Sequence, residues 1–325
     1  MLEAMAQALV AGDRSSLARA MTLMERGAVD ASMMLRYLPN PAQAPTVVGI
    51  TGPAGSGKST LVSRLVSVAR LHRQRVAVLA IDPSSPFSGG AFLGDRIRMD
   101  SHWLDTGVFI RSVASRGAVG GLSEPVALLV HLLSAAGYDP IFIETVGVGQ
   151  TEIDVMRVAG TTVVVLAPGF GDDIQLAKAG LMEIAGAFVV NKGDLPGAAA
   201  LAREVKTAIR MAGRADWRPP VISVSALQGS GIEELWSELQ HRATSGPSNG
   251  IKHARGLLRT LVQRQLEHRF EVSGKVDQLI KSVESGDVDL SEAVDLAVAA
   301  VLNTDDLAQR ATGHPPAQHG SDRWN

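Results

Sequence analysis

The chain contains no cysteine. Disulfides, thiolate zinc sites and cysteine nucleophiles are therefore excluded, and a reducing, cytoplasmic setting is the expectation compatible with that absence. Nor is there an excess of charge of either sign: 31 Lys and Arg stand against 33 Asp and Glu, a net −2. That balance gives no reason to expect nucleic acid or a membrane as a partner. No apolar run reaches the length of a membrane span. Residues 1–10 carry Glu3 as their only charge, unlike the basic start of a secretory leader. What is present is ordinary for a folded chain with a sizeable core. It has 325 residues, 46% of them hydrophobic, which suits one large α/β domain with appendages.

The hydrophobic pattern divides the chain. Leu9, Leu17, Met21, Met24, Met33, Met34, Leu35 and Leu38 recur at helical intervals, with Asp13, Asp30 and Pro41 as caps or stops, so 1–44 reads as a helical extension. Short apolar runs at 47–51, 75–81, 108–111, 141–144, 162–166, 187–190 and 221–224 read as strands, several of them buried on both faces. Helix-period segments at 125–136, 171–184 and 201–211 alternate with them. This alternation predicts a mainly parallel central sheet flanked by helices, over 45–245. Helices are expected at 232–243, 251–270, 275–285 and 291–302. The run Ser245-Gly246-Pro247-Ser248-Asn249-Gly250 reads as a linker, 246–311 as a C-terminal helical region, and 312–325 as a flexible tail.

The most informative segment is Gly52-Pro53-Ala54-Gly55-Ser56-Gly57-Lys58-Ser59, which matches G-x-x-x-x-G-K-[ST]. An apolar run precedes it, and an amphipathic stretch beginning at Thr60 follows. Strand, Gly-rich turn and helix is the context of a phosphate-binding loop. The glycines let backbone N–H groups converge on an anion, and the helix N-terminus adds its positive dipole end. Lys58 is placed to reach β- and γ-phosphates, and the Ser59 hydroxyl to ligate Mg²⁺.

Base choice is read further along. Asn191-Lys192-Gly193-Asp194 follows the apolar run 187–190 and has the N-K-x-D form of guanine-reading loops. A carboxylate at Asp194 can accept from both N1–H and the exocyclic amine of guanine, a donor pair adenine lacks. Asn191 is expected to meet the base edge and the stem of Lys192 to cover the ring. Ser225-Ala226-Leu227, after the next strand, resembles a segment that supports guanine through a backbone N–H. Asp82 and Glu144 each end a strand, where an open parallel sheet faces its ligand crevice. Asp95 lies in the intervening Gly89-Gly90-Ala91-Phe92-Leu93-Gly94-Asp95. Mg²⁺ takes few direct carboxylates, so some of these would act through water. Glu144-Thr145-Val146-Gly147 stands where most GTPases have D-x-x-G, and the Gly147 N–H could sense a γ-phosphate. Val148 occupies the place of the water-orienting Gln of Ras-like proteins, with Gln150 two positions on. Slow hydrolysis of GTP to GDP and phosphate without a partner is the resulting expectation.

Taken together, these motifs, with Asp82-Pro83-Ser84-Ser85 and the run through Val148-Gly149-Gln150, resemble the MeaB/ArgK/MMAA family over roughly 45–235. These are GTPases that act as chaperones of adenosylcobalamin-dependent acyl-CoA mutases of the methylmalonyl-CoA mutase type. The resemblance implies that Ser59, Asp82, Asp95 and Glu144 form the Mg²⁺ and switch environment. It implies a homodimer in which 251–302 could take part, and a mobile loop at 167–175 leading to Lys178. Lys178 is either a catalytic cation supplied on complex formation or a solvated helix charge. Two alternatives remain: the transport-system (arginine/ornithine) ATPase or kinase of older descriptions, and a nickel-delivery GTPase. The guanine motif speaks against the first. The lack of cysteine and the scatter of the eight histidines speak against the second.

Overall fold

Seven stretches rich in β-branched residues pair into one parallel sheet. The computed structural model describes residues 1–25, 31–39, 45–83, 102–115, 123–145, 147, 156, 158–169, 181–212, 218–245, 258, 262, 266, 270 and 276–302. The strands are β1 (Val47–Thr51), β2 (Val76–Pro83), β3 (Val108–Ser115), β4 (Ile141–Thr145), β5 (Thr161–Leu166), β6 (Ala187–Val190) and β7 (Val221–Ser223). Their order is β3-β2-β4-β1-β5-β6-β7, and every pairing is parallel. All residues of β1, β4, β5 and β6 are buried, which is why these runs are apolar at consecutive positions rather than alternately. All seven expected strands are present. β3 runs four residues past its expected end, because its pairing with β2 continues from Val76↔Val108 to Pro83↔Ser115.

Helices cover both faces. α1 (Leu2–Val10), α2 (Arg14–Glu25) and α3 (Ala31–Leu35) precede the sheet, followed by α4 (Lys58–Leu71) and α5 (Ser123–Ala135). Next come the short α6 (Met182–Ile184), then α7 (Ala198–Met211) and α8 (Ile232–Ser245). Alternate residues of one strand serve opposite cores. Val163, Val165 and Val189 pack with Leu61, Leu65, Leu235 and Trp236 of α4 and α8. Val164, Leu166, Phe188 and Val190 pack with Leu201, Ala202 and Val205 of α7. Each such large apolar side chain contributes about 1.5–3 kcal/mol on burial.

The expected N-terminal helical region is broken after Val10. Gly12 takes φ 96°, and the Asp13 N–H reaches back to the Ala8 carbonyl at 2.9 Å, closing α1 in a Schellman-type turn. Asp13 then caps α2, its carboxylate accepting from the N–H of Ser16 at 2.8 Å. Hydrogen bonds from Ser16 hold that carboxyl below its ordinary value. Met33 departs from the expected apolar stripe and is exposed, while Met34 is fully buried. Arg111 of β3 ties α2 to the sheet edge, meeting Glu25 at 2.6 Å and the Thr22 hydroxyl at 3.0 Å. The expected caps at Asp30 and Pro41 lie outside the described residues.

The chain separates into two compact units, Met1–Arg259 and Thr260–Asn325. The second contains α9 (Val276–Glu284) and α10 (Leu290–Leu302), joined by a turn at Gly286 (φ 77°). Ile280, Val294, Leu296 and Val298 are exposed on them. Of the helix expected over 251–270, positions 258, 262, 266 and 270 are described and helical.

Candidate nucleotide-binding site

β1 lies between β4 and β5, with β2 and β3 beyond β4 and β6 and β7 beyond β5. The sheet therefore reverses its direction of growth at β1, and its C-terminal edge there opens the crevice where such sheets bind ligands. The loop 52–57 fills this position between β1 and α4. Two of its glycines are required by close contacts. Gly52 has φ 145°, and a Cβ there would stand 2.1 Å from the Val165 carbonyl oxygen. Gly57 has φ 90°, and a Cβ there would stand 2.3 Å from Asn191 Nδ2. Ala54, Gly55 and Thr60 are exposed, whereas Pro53, Ser56, Lys58 and Ser59 are buried. The Lys58 ammonium, expected to reach outward to phosphates, donates to the carbonyls of Gly52 and Pro53 at 2.7 and 2.8 Å. It bridges the start of the loop, with its charge held inside the turn.

Beside it, the Ser59 hydroxyl donates to Glu144 Oε1 at 2.6 Å. Glu144 is paired with Ile50 of β1 and Ala80 of β2. Asp82, two residues past Ala80, shares its side of the sheet with Glu144. Both carboxylates are buried, at 3% and 4% exposure. A hydroxyl and two carboxylates at one sheet edge form a hard oxygen set that suits Mg²⁺. Gly147 is fixed through its carbonyl, which lies 3.1 Å from the hydroxyls of both Thr51 and Thr145, themselves 3.0 Å apart. These threonines were not singled out by sequence. Their signal was a hydroxyl at the last position of each of two apolar strands. Asp95, Val148, Gln150, Lys178 and most of the loop expected at 167–175 lie outside the described residues.

At the other end of the crevice, Asn191 is only 2% exposed. Its Nδ2 donates to the Ser56 carbonyl at 2.8 Å, and its Oδ1 accepts from the Ala226 N–H at 3.0 Å. Its amide is committed to joining the phosphate loop to the 225–227 segment. Lys192 adopts a left-handed φ of 57°, and the Gly193 N–H anchors to the Val224 carbonyl at 2.8 Å, so the loop turns sharply and leaves Asp194 exposed. Ser225 and Ala226 are buried; Leu227 is exposed. Arg64 of α4, not singled out by sequence, donates to the carbonyls of Ala226 and Leu227 at 2.8 and 2.7 Å. Farther along α4, Arg70 grips Asp105 through two contacts at 2.8 and 2.9 Å. That pairing holds the Asp105 carboxyl below its ordinary value, with a smaller contribution from the Gly107 N–H. His102, where the described chain resumes after 83, places Nε2 3.1 Å from the Ser63 hydroxyl.

Known proteins resemble this chain over most of its length. A protein of Pyrococcus abyssi whose name marks it as a provisional GTPase is 41% identical over 315 residues, covering 93% of this chain and 97% of its own. The mouse mitochondrial methylmalonic aciduria type A homolog is 34% identical over 322 residues, covering 90% and 77%. A crystal structure described as an LAO/AO transport system kinase superposes with a TM-score of 0.64 at 26% identity, covering 91% and 96%. The family model of the methylmalonyl-CoA mutase-associated GTPase MeaB matches residues 17–281. With the phosphate loop, the acidic strand ends and the guanine-type loop gathered at one crevice, the chain belongs to the MeaB family of P-loop GTPases.

Proposed function

We propose that the protein is a GTP-hydrolysing chaperone that assists or protects an adenosylcobalamin-dependent acyl-CoA mutase. The observation that carries the reading is the 2.6 Å contact between Ser59 and Glu144, which links the phosphate loop directly to the segment holding Gly147. A change at the γ-phosphate would thereby be felt at 145–150, the segment available to signal a partner. The mutase is inferred from the family description and from the name of the mouse relative. In this reading Lys58 leaves the Gly52 and Pro53 carbonyls for the β- and γ-phosphates. Ser59, Asp82 and Glu144, with Asp95, would hold Mg²⁺, which when bound neutralises charge on the phosphate oxygens. Asp194 reads guanine and Lys192 covers the base. The Gly147 N–H meets the γ-phosphate. Water is oriented incompletely, because Val148 stands in the usual position of Gln, so turnover is slow until the partner supplies a further group, for which Lys178 is the candidate. The protein is taken to act in the cytoplasm as a homodimer, with 251–302 contributing to the contact. No helix among the described residues is long and apolar enough to cross a membrane.

The test is GTP turnover with and without a methylmalonyl-CoA mutase-type enzyme, alongside co-purification of the two proteins. Turnover well below the roughly 10 s⁻¹ typical of enzymes, rising at least tenfold with the mutase, is expected. Neither binding nor stimulation with any such mutase would remove the chaperone role and leave the GTPase. A transport-kinase reading is favoured by the description of the superposing crystal structure. It predicts phosphoryl transfer from ATP to a protein, which competition between GTP and ATP would expose.

A further inference from the structure

The 225–227 segment is held from two sides, and its amides are almost all spoken for. The Ser225 N–H donates to the Ser230 carbonyl at 3.0 Å and the Ala226 N–H to Asn191 Oδ1 at 3.0 Å. The Gln228 N–H lies 3.3 Å from the Ser225 hydroxyl, and the Gly229 N–H donates to the Ser225 carbonyl at 2.7 Å. The Leu227 N–H has no partner among the described residues. From the opposite side, Arg64 Nε holds the Ala226 carbonyl at 2.8 Å, and its Nη2 holds that of Leu227 at 2.7 Å.

These contacts have a geometric consequence. The Ala226 carbonyl and the Leu227 N–H belong to the same planar trans peptide and point in opposite directions. A guanidinium fork that fixes the carbonyl therefore fixes the direction of the N–H. We propose that Arg64 is a positioning residue for base selection: by gripping the Ala226 carbonyl it aims the Leu227 amide at the six-position oxygen of a bound purine. The inference rests on the guanine reading of this crevice and assigns it a second, separate discriminator. A donor at that point suits the keto oxygen of guanine or hypoxanthine and opposes the six-amino group of adenine. Asp194 reads the neighbouring groups of the same edge, N1–H and the two-amino group, of which hypoxanthine lacks the second. Arg64 lies six residues after Lys58 on α4, about 9 Å along the axis, so one helix carries the phosphate lysine and the anchor of the base-reading segment.

The two discriminators separate in one experiment. GDP, IDP and ADP are titrated with Mg²⁺ against the full chain by calorimetry, with ADP also read by displacement of a fluorescent GDP analogue. Arg64→Gln is expected to weaken GDP and IDP by the same factor, about tenfold, for the loss of charge-assisted contacts. ADP affinity should not fall, and rises if the opposing N–H is released, while the GDP:IDP ratio should stay as it is. Arg64→Lys, with a single donor head, should recover part of the loss and serves as the second variant if the first folds poorly. A fall in ADP affinity in step with GDP would mean that Arg64 merely supports α4, and an unchanged GDP affinity would mean that it positions nothing; either overturns the proposal. A wild-type protein that binds ADP as well as GDP would sink the guanine reading and this inference together. A wild-type preference left intact in Arg64→Gln would sink this inference alone.

Discussion

The phosphate end and the base end of the crevice are built on opposite plans. At the phosphate end the functional side chains are themselves buried: Lys58, Ser59, Asp82 and Glu144 all have less than a tenth of their surface exposed. The loop passes so close to Val165 and Asn191 that Gly52 and Gly57 have no room for a Cβ. At the base end the burial belongs to the frame, Asn191 and Ser225, and the residues proposed to read a base, Asp194 and Leu227, are exposed. The phosphate end is specified by close approach, so a change there disturbs folding and binding together. The base end is a rigid bracket carrying replaceable readers, so a change there can alter selectivity while the fold persists.

Three variants or conditions probe that contrast. The largest effect is expected from Lys58→Ala, which removes the buried ammonium from the Gly52 and Pro53 carbonyls. GDP and ADP should both weaken, by about a hundredfold, in calorimetric titration. A loss confined to guanine nucleotides would break the division between the two ends. Next is Asp194→Asn, at an exposed position. It should cost GDP about thirtyfold, leave ADP and the melting temperature unchanged, and favour xanthine nucleotides, because the amide cannot accept from N1–H and the amine together. A Tm that fell with it would show that Asp194 belongs to the frame. The smallest effect concerns the tether of α4, the helix common to both ends. Arg70 depresses the Asp105 carboxyl below its ordinary 3.8. A depressed carboxyl contributes stability that is present above its unfolded value and lost as the pH falls through the folded one. Thermal unfolding between pH 5 and pH 2 should therefore show a decline that is shallower in Asp105→Asn. Identical slopes would mean that the pair contributes nothing to the anchoring of α4.

The strands were legible because burial on both faces leaves no alternation to misread: Val47–Thr51 and Thr161–Leu166 are runs that only a covered sheet tolerates. The phosphate loop was legible as a spaced motif, although the neighbours that leave Gly52 and Gly57 no room for a Cβ, Val165 and Asn191, lie far along the chain. Asn191 was harder. Its place in N-K-x-D announced a role at the base, but not that its amide would also join the Ser56 carbonyl to the Ala226 N–H. Arg64 left no mark in the pattern, because a charge on the polar side of an amphipathic helix looks like any other solvated charge.

Sequence alone determined the order of strands and helices along the chain and the residue types at the strand ends, because each follows from interactions within a few positions. Tertiary structure decided which of these meet. It set Ser59 against Glu144 across 85 residues, Asn191 against Ser56 across 135 and Arg64 against Ala226 across 162. Contacts at such separations are fixed by the sheet order, with β1 between β4 and β5, and that order is a choice among packings that local periodicity does not distinguish.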